Sequence, residues 1–243
     1  MTAVPEQSAG IAAESEAVPG FDAFGIRAFT TTRASGSFGT MTDEPVRDVM
    51  SRWGRLRREL SSGGPRLATA IQVHGAAIIE HQPGWRGWLR ADEADGHLST
   101  ERGTALAVTV ADCVPVFIAH PSGATALLHS GWRGTAARIV EHGIDALVSH
   151  GFSARDLRLH TGPAICGKCY EVSAEVYAQL TGRDPGKPTT VDLRALIADH
   201  ARAKGVQHIT TSSSCTRCDN DRFYSHRAGD AGRQLGVMIA DAP

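Results

Sequence analysis

Long apolar runs are missing from this 243-residue chain. No stretch approaches the ~20 apolar residues that a membrane span needs, so no membrane partner is expected. A charge excess is missing as well: the formal net charge is −1 and 21% of residues are charged. Bulk electrostatics therefore offers no nucleic-acid or membrane surface. The first twenty residues, MTAVPEQSAGIAAESEAVPG, have neither a basic start nor an apolar centre. They are not expected to be a secretory signal and read as a flexible tail, with 21–243 as one domain. There is no internal repeat, no low-complexity linker, and no phosphate-loop or dinucleotide fingerprint. The expected compartment is the cytoplasm, where the five cysteines fit metal binding, catalysis or burial better than disulfides.

What is there centres on Thr104 to Ala136. Ala105 to Ile118 is apolar and β-branched, Ala124 to Leu128 is apolar again, and His120-Pro121-Ser122-Gly123 between them is turn chemistry. The unit reads as a β-hairpin with Cys113 in its first strand and His129 at the end of its second. A short loop centred on Pro121–Ser122 sets Cys113 across from Ser130 or Gly131. An odd loop length puts Cys113 and His129 on one face, and an even one splits them. A sulfur and an imidazole so close begin either a zinc site or a thiol–imidazole pair. After Gly131-Trp132-Arg133-Gly134, Thr135 reads as the N-cap of a helix running to about Gly151. Arg133 at that helix start could hold an anion.

Elsewhere, Phe24 to Arg33 reads as a strand that empties into the Gly/Ser loop Ala34 to Thr40. That loop, with Arg33 beside it, could cradle phosphate. A helix from Val46 carries Val49, Trp53, Leu56 and Leu60 at helical spacing, and Ser61 to Pro65 ends it. Leu67 to Ile79 reads as two strands interrupted at His74-Gly75, and Asp95-Gly96 as a turn pair. Ser173 caps a short helix, and Asp192 to Lys204 forms another. Strands and helices mix without strict alternation, so a mixed or antiparallel sheet is expected rather than a doubly wound one.

Two constellations carry chemistry. Cys166-x-x-Cys169 and Cys215-x-x-Cys218 have the spacing of a four-thiolate zinc site, and the two pairs are expected to lie close in space. His74, Cys113 and His129 are three ligands that would leave a fourth position open, the pattern of catalytic zinc. Asp112 points to the opposite face of a regular strand, and a bulge would bring it into play as a proton shuttle.

The chain resembles the polyphenol-oxidase/laccase-domain family, also called the YfiH-type purine nucleoside phosphorylases. The resemblance rests on Phe29-Thr30-Thr31-Thr32-Arg33, Gln72-Val73-His74-Gly75, Ala94-Asp95-Gly96, Ala111-Asp112-Cys113-Val114-Pro115-Val116 and His129-Ser130-Gly131-Trp132-Arg133-Gly134. It continues through Gly162-Pro163-Ala164-Ile165, Cys169-Tyr170-Glu171-Val172 and Phe223-Tyr224-Ser225-His226-Arg227. The chain departs from the family in its short loop after Arg33, with Ser51 about where the family has Asn. It departs again in Cys166-Gly167-Lys168-Cys169. The resemblance implies an α/β fold of mixed sheets sandwiched between helices, like that of CNF-toxin deamidases. It implies zinc on His74, Cys113 and His129. It also implies phosphorolysis of adenosine, inosine, guanosine and methylthioadenosine, with adenosine deamination at the same site. Cys113, His129 and Asp112 are then the expected catalytic residues, and Arg33 and Arg133 the expected phosphate ligands. The rival readings are a metal-free Cys113–His129 hydrolase acting on peptidoglycan precursors, a copper polyphenol oxidase, and a zinc-stabilised partner protein without activity.

Overall fold

The computed structural model describes residues 10–60 and 66–242. In chain order the strands are β1 (Ser15–Ala17), β2 (Ile26–Thr31), β3 (Arg66–Ala70), β4 (Ile78–Glu80), β5 (Gly87–Ala91), β6 (Gly96–Ser99) and β7 (Thr104–Val110). They continue as β8 (Val114–Ala119), β9 (Thr125–Ser130), β10 (Arg158–Thr161), β11 (Glu171–Val172), β12 (Thr189–Thr190), β13 (His208–Thr211) and β14 (Gln234–Ala240). The helices are α1 (Val46–Glu59), α2 (Trp132–Ala136), α3 (Ile139–Ser149), α4 (Ala174–Thr181) and α5 (Leu193–Ala203).

Two mixed six-stranded sheets form, in the orders β1-β2-β14-β7-β3-β5 and β13-β10-β8-β9-β6-β4. Their side chains alternate between faces, as the strand period demands. Leu106, Val108 and Val110 of β7 meet Phe117, Ala119 and Leu127 of β8 and β9 in a core between the sheets. Ala105 and Ala107 turn the other way and pack with Val49, Trp53, Leu56 and Leu60, where α1 covers the first sheet. Val114, Val116, Ile118, Ala126 and Leu128 lie beneath Ile139, Val140, Ile144, Leu147 and Ile197, where α3 and α5 cover the second. The result is helix, sheet, sheet, helix: mixed sheets sandwiched between helices.

The structure corrects several sequence expectations. Ala105 to Ile118 is not one strand, because the chain leaves the first sheet after Val110 and enters the second at Val114. Cys113 therefore sits at a crossing between sheets, next to the hairpin rather than inside it. The hairpin loop is odd in length: Ala119 pairs with Thr125 and the N–H of His120 bonds to Ala124. Gly123 closes it at φ 106°, a conformation glycine adopts without strain. Thr135 is not an N-cap. Helix begins at Trp132, breaks at Arg138 in the left-handed region (φ 60°), and restarts at Ile139. Of the expected flexible tail 1–20, residues 1–9 lie outside the described residues. Ile11 is buried in the core, and β1 pairs antiparallel with β2. Edge pairing and the buried side chains of Ile11 and Val18 tie that segment down. The segment 61–65, expected to end the first helix, also lies outside the described residues. Ser173 and Asp192 cap α4 and α5 as their sequence positions imply, each accepting from backbone N–H groups in the first turn. No helix among the described residues is long and apolar enough to cross a membrane.

Candidate active site

Three times the chain crosses from the first sheet to the second: between β3 and β4, between β5 and β6, and between β7 and β8. The crossings bring His74, Asp95 and Cys113 to one place. Each holds a non-glycine residue at positive φ: His74 at 60°, Glu93 at 39° and Asp112 at 81°. Such backbone is costly and persists where surrounding contacts fix it. His129 arrives at the end of β9, paired with Pro115.

Metal-ligating atoms of His74, Cys113 and His129 all lie within 4.8 Å of one another. The two imidazoles meet edge to face, with ring centroids 4.9 Å apart. Behind them Asp95 is fully buried. Its Oδ1 accepts from His129 Nδ1 at 2.7 Å and from the N–H of His74 at 3.0 Å. Its Oδ2 accepts from the N–H groups of Gly75 at 2.6 Å and Val73 at 3.2 Å. One carboxylate thus fixes the His74 turn and the orientation of His129. With Nδ1 donating to Asp95, Nε2 of His129 remains for the sulfur or for a metal.

The electrostatics agree with the geometry. Burial pushes the Cys113 thiol up, but neighbouring His129 and hydrogen bonds from His129 and His74 outweigh it and bring it down to about 6. Burial pushes His129 down, yet Cys113 and Asp95 raise it to about 9. Asp95 is pushed up by burial and carried below the usual carboxylate range by His129, Gly75 and Val73.

The residues fit a metal by their own chemistry. Two imidazoles and a low-pKa thiol are the nitrogen and sulfur donors a zinc-class ion prefers. Gly131 is a cradle of matching shape: a Cβ there would lie 2.8 Å from Cys113 Sγ. Gly134 lets α2 approach, since its Cβ would lie 3.0 Å from the Gly75 carbonyl.

A cavity of about 420 Å³ opens onto the trio, lined also by Phe38, Trp53, Trp88, Gln72, Arg90, His226 and Arg233. Its size suits a small organic ligand, and its walls combine aromatic faces with a few polar groups. Trp88 stacks on Trp53 at 4.8 Å and donates to Thr69 Oγ1 at 2.8 Å, so the aromatic wall is rigid.

Other expected residues lie elsewhere. Arg33 is committed to protein: its Nε donates to the carbonyls of Asn220 and Phe223, its Nη2 pairs with Asp230, and it stacks on Tyr224. It does not line the cavity. It clamps the loop before β14 and is not a free anion ligand. Asp112 is likewise spent, with Oδ1 accepting from Thr216 Oγ1 at 2.6 Å and Oδ2 from the Arg227 N–H at 2.7 Å. Its backbone sits at positive φ and its carboxylate is engaged by those loops, where it braces the turn that presents Cys113. Arg133 is exposed and stacks on Trp132, with no hydrogen bond or ion pair to its guanidinium among the described residues. The five-residue α2 behind it is too short to supply much helix dipole. Its charge is felt at Tyr170, whose hydroxyl burial and the nearby Cys113 push up to about 12 while Arg227 and Arg133 pull it back.

The sequence reading missed Asp95 as a functional residue. Asp-Gly is a turn signal by residue type, and only the hydrogen bonds of Asp95 to His129 and to the His74 backbone reveal its role. It gave no role to Arg90, His226 or Arg233, although His226 lies in the motif Phe223-Tyr224-Ser225-His226-Arg227 that carries the resemblance.

Fold and site together define an α/β sandwich with a His–Cys–His centre able to hold a metal beside a ligand-sized cavity. The chain belongs to the family described as multi-copper polyphenol oxidoreductase laccase, whose model matches residues 28–241. A Streptomyces coelicolor protein named purine nucleoside phosphorylase is 35% identical over 212 residues, covering 84% of this chain and 86% of its own. One from Deinococcus radiodurans with the same name is 33% identical over 231 residues, covering 86% and 87%. The crystal structure of YlmD from Geobacillus stearothermophilus superposes with a TM-score of 0.85 at 29% identity, covering 93% of this chain and 94% of that one.

Proposed function

We propose that this protein is a zinc-dependent purine nucleoside phosphorylase. Its substrates are adenosine, inosine, guanosine and methylthioadenosine, and it also deaminates adenosine. The observation that carries the reading is the trio His74, Cys113 and His129, braced by Asp95 and opening on a cavity of nucleoside size. The relatives named purine nucleoside phosphorylase support it. A zinc ion on the trio would supply a Lewis acid beside the substrate.

The chain's own residues have separate tasks. Asp95 keeps the Nδ1 proton on His129 and so fixes which nitrogen faces the site. Trp53, Trp88 and Phe38 offer an apolar wall against which a purine can lie and from which water is excluded. Arg133 lies just past His129 and outside the cavity lining; stacked on Trp132 and without an ion pair among the described residues, it is the phosphate ligand of this reading. Phosphate oxygen bonds to the ribose C1′ as the C1′–N9 bond breaks, and the purine leaves with the electron pair. His226, the further imidazole of the cavity, supplies its proton. Copper oxidation is disfavoured. Among the described residues the two metal-capable groups contain two histidines between them, few for a multicopper centre.

A second reading has one observation in its favour. Cys113 lowered to about 6 beside His129 raised to about 9 describes a thiolate–imidazolium pair, as a Cys–His hydrolase needs. His74 separates the two. As a metal ligand it is indispensable, whereas a Cys–His pair acts without it. His74→Ala is expected to abolish phosphorolysis and the metal bound at this centre. Retained amidase activity in a metal-free His74→Ala protein would favour the hydrolase instead.

A further inference from the structure

The two CxxC pairs lie outside the chemistry described so far. Sequence separates them, yet the sulfur atoms of Cys166, Cys169, Cys215 and Cys218 all lie within 4.8 Å of one another. All are free thiols, and the Cys169 and Cys218 sulfurs are 3.4 Å apart, well beyond a bonded pair. We propose that these four cysteines hold a second zinc-class divalent ion, and that this closed centre clamps the loops supporting the Asp112–Cys113 turn.

Four observations carry the assignment. Tetrahedral Zn–S bonds of ~2.3 Å place sulfurs about 3.8 Å apart, the spacing this cluster already approaches without a metal. Backbone N–H groups are aimed at the buried Cys215 sulfur, from Cys166 at 3.3 Å and Cys218 at 3.4 Å. Such bonds hold the sulfur in place, as the outer contacts of a metal ligand do. Four thiolates and a divalent ion sum to −2, and each pair carries one cation between its cysteines, Lys168 and Arg217. Finally, all four positions of a tetrahedron are filled by protein and none of the four cysteines lines the cavity. That is the donor set of a structural site, with no place for substrate.

The clamp acts on the neighbouring residues. Ala164 and Cys215 form a parallel bridge, and the Thr216 N–H bonds to the Ala164 carbonyl at 3.2 Å. From these joined strands, the Ile165 N–H donates to the Asp112 carbonyl at 3.1 Å and Thr216 Oγ1 donates to its carboxylate at 2.6 Å. Asp112 is held at φ 81°, and the groups that hold it are one residue from Cys166 and from Cys215. An ion joining the pairs would fix both arms at once. Cys169 and Cys218, the more exposed pair, give it a way in.

Metal content per chain tests this, measured by mass spectrometry on protein purified without added metal. The Cys113→Ala variant isolates the second centre. It is expected to retain one zinc-class ion, which Cys169→Ser/Cys218→Ser placed on top of Cys113→Ala then removes. Cobalt loaded into Cys113→Ala protein should give the intense near-ultraviolet absorption of several thiolate ligands. A Cys113→Ala protein that is folded by circular dichroism but carries no metal would overturn the proposal. So would a Cys169–Cys218 disulfide in the peptide map of unreduced protein. If the triple variant is insoluble, the Cys113→Ala and cobalt results still decide. Because Cys113 is absent from every decisive arm, failure here is distinct from failure of the His–Cys–His reading.

Discussion

The two cysteine-bearing regions of this molecule use sulfur in opposite ways. One places a single thiol with two imidazoles, each from a different part of the chain, in front of a buried carboxylate and at the edge of a cavity. The other gathers four thiols from two tight turns on neighbouring loops, away from the cavity. Three donors leave a position for a reactant, and four do not. An incomplete donor set beside a void is suited to chemistry, and a complete one to holding backbone. The first centre is also strained, with His74 and Asp112 at positive φ, and the second lies where it would hold that strain in place.

Breaking the first centre should have the largest effect. Cys113→Ala is expected to lower phosphorolysis on the order of 10³-fold or more, the scale at which a principal stabilising group is lost. Steady-state release of free base from inosine measures it. Loss of less than tenfold would place the chemistry elsewhere.

Asp95→Ala comes next. It removes the acceptor of His129 Nδ1 and of three backbone N–H groups. Zinc affinity at the first centre should fall roughly 10–100-fold, read by competition with a chromophoric chelator. Unchanged affinity would mean that Asp95 serves folding alone.

Arg133→Ala should cost phosphorolysis about ten- to a hundred-fold, roughly 1.5–3 kcal/mol for a charged hydrogen bond, and leave adenosine deamination nearly intact. Parallel kinetics for both products, beside a melting curve, check this. Equal losses in both would reduce Arg133 to a prop for its turn.

The last effect, on stability rather than activity, concerns neither centre and serves as their control. Burial lowers His160 to about 4, so between pH 6.5 and 4 the unfolded chain takes up a proton that the folded chain refuses. Stability must therefore fall as pH drops through that window, by roughly 2–3 kcal/mol at pH 4. In chelator-treated protein, where metal release cannot contribute, His160→Asn should flatten this part of the melting-temperature profile. An unchanged slope would assign the acid sensitivity to other groups.

How much of this was legible in the sequence depends on distance along the chain. The hairpin, the caps at Ser173 and Asp192, and the apolar face of the first helix follow from local period and residue type, and the structure has them. The ligand trio and the CxxC pairs were marked by residue type, and the fold brings each set together. What local pattern could not supply was a change of sheet. Ala105 to Ile118 is apolar apart from Thr109 and Asp112 because both sheets bury it, and one aspartate in such a run did not by itself announce a change of sheet. The crossing turned the Asp112 carboxylate toward Thr216. A similar crossing turned Asp95 from an apparent turn residue into the brace of the first centre. Arg33, beside a Gly/Ser loop, had the local look of a phosphate ligand, but a distant acid, Asp230, pairs with it.

Phosphorolysis of purine nucleosides at the His74–Cys113–His129 centre can be tested in one assay. The most direct measurement is to incubate zinc-loaded protein with adenosine, with and without inorganic phosphate, and identify every product by chromatography and mass. Adenine and ribose 1-phosphate are expected only when phosphate is present, inosine in both conditions, and none of the three from His74→Ala protein. Adenosine left intact in the presence of phosphate and zinc, or free base formed equally without phosphate, would contradict phosphorolysis at this centre.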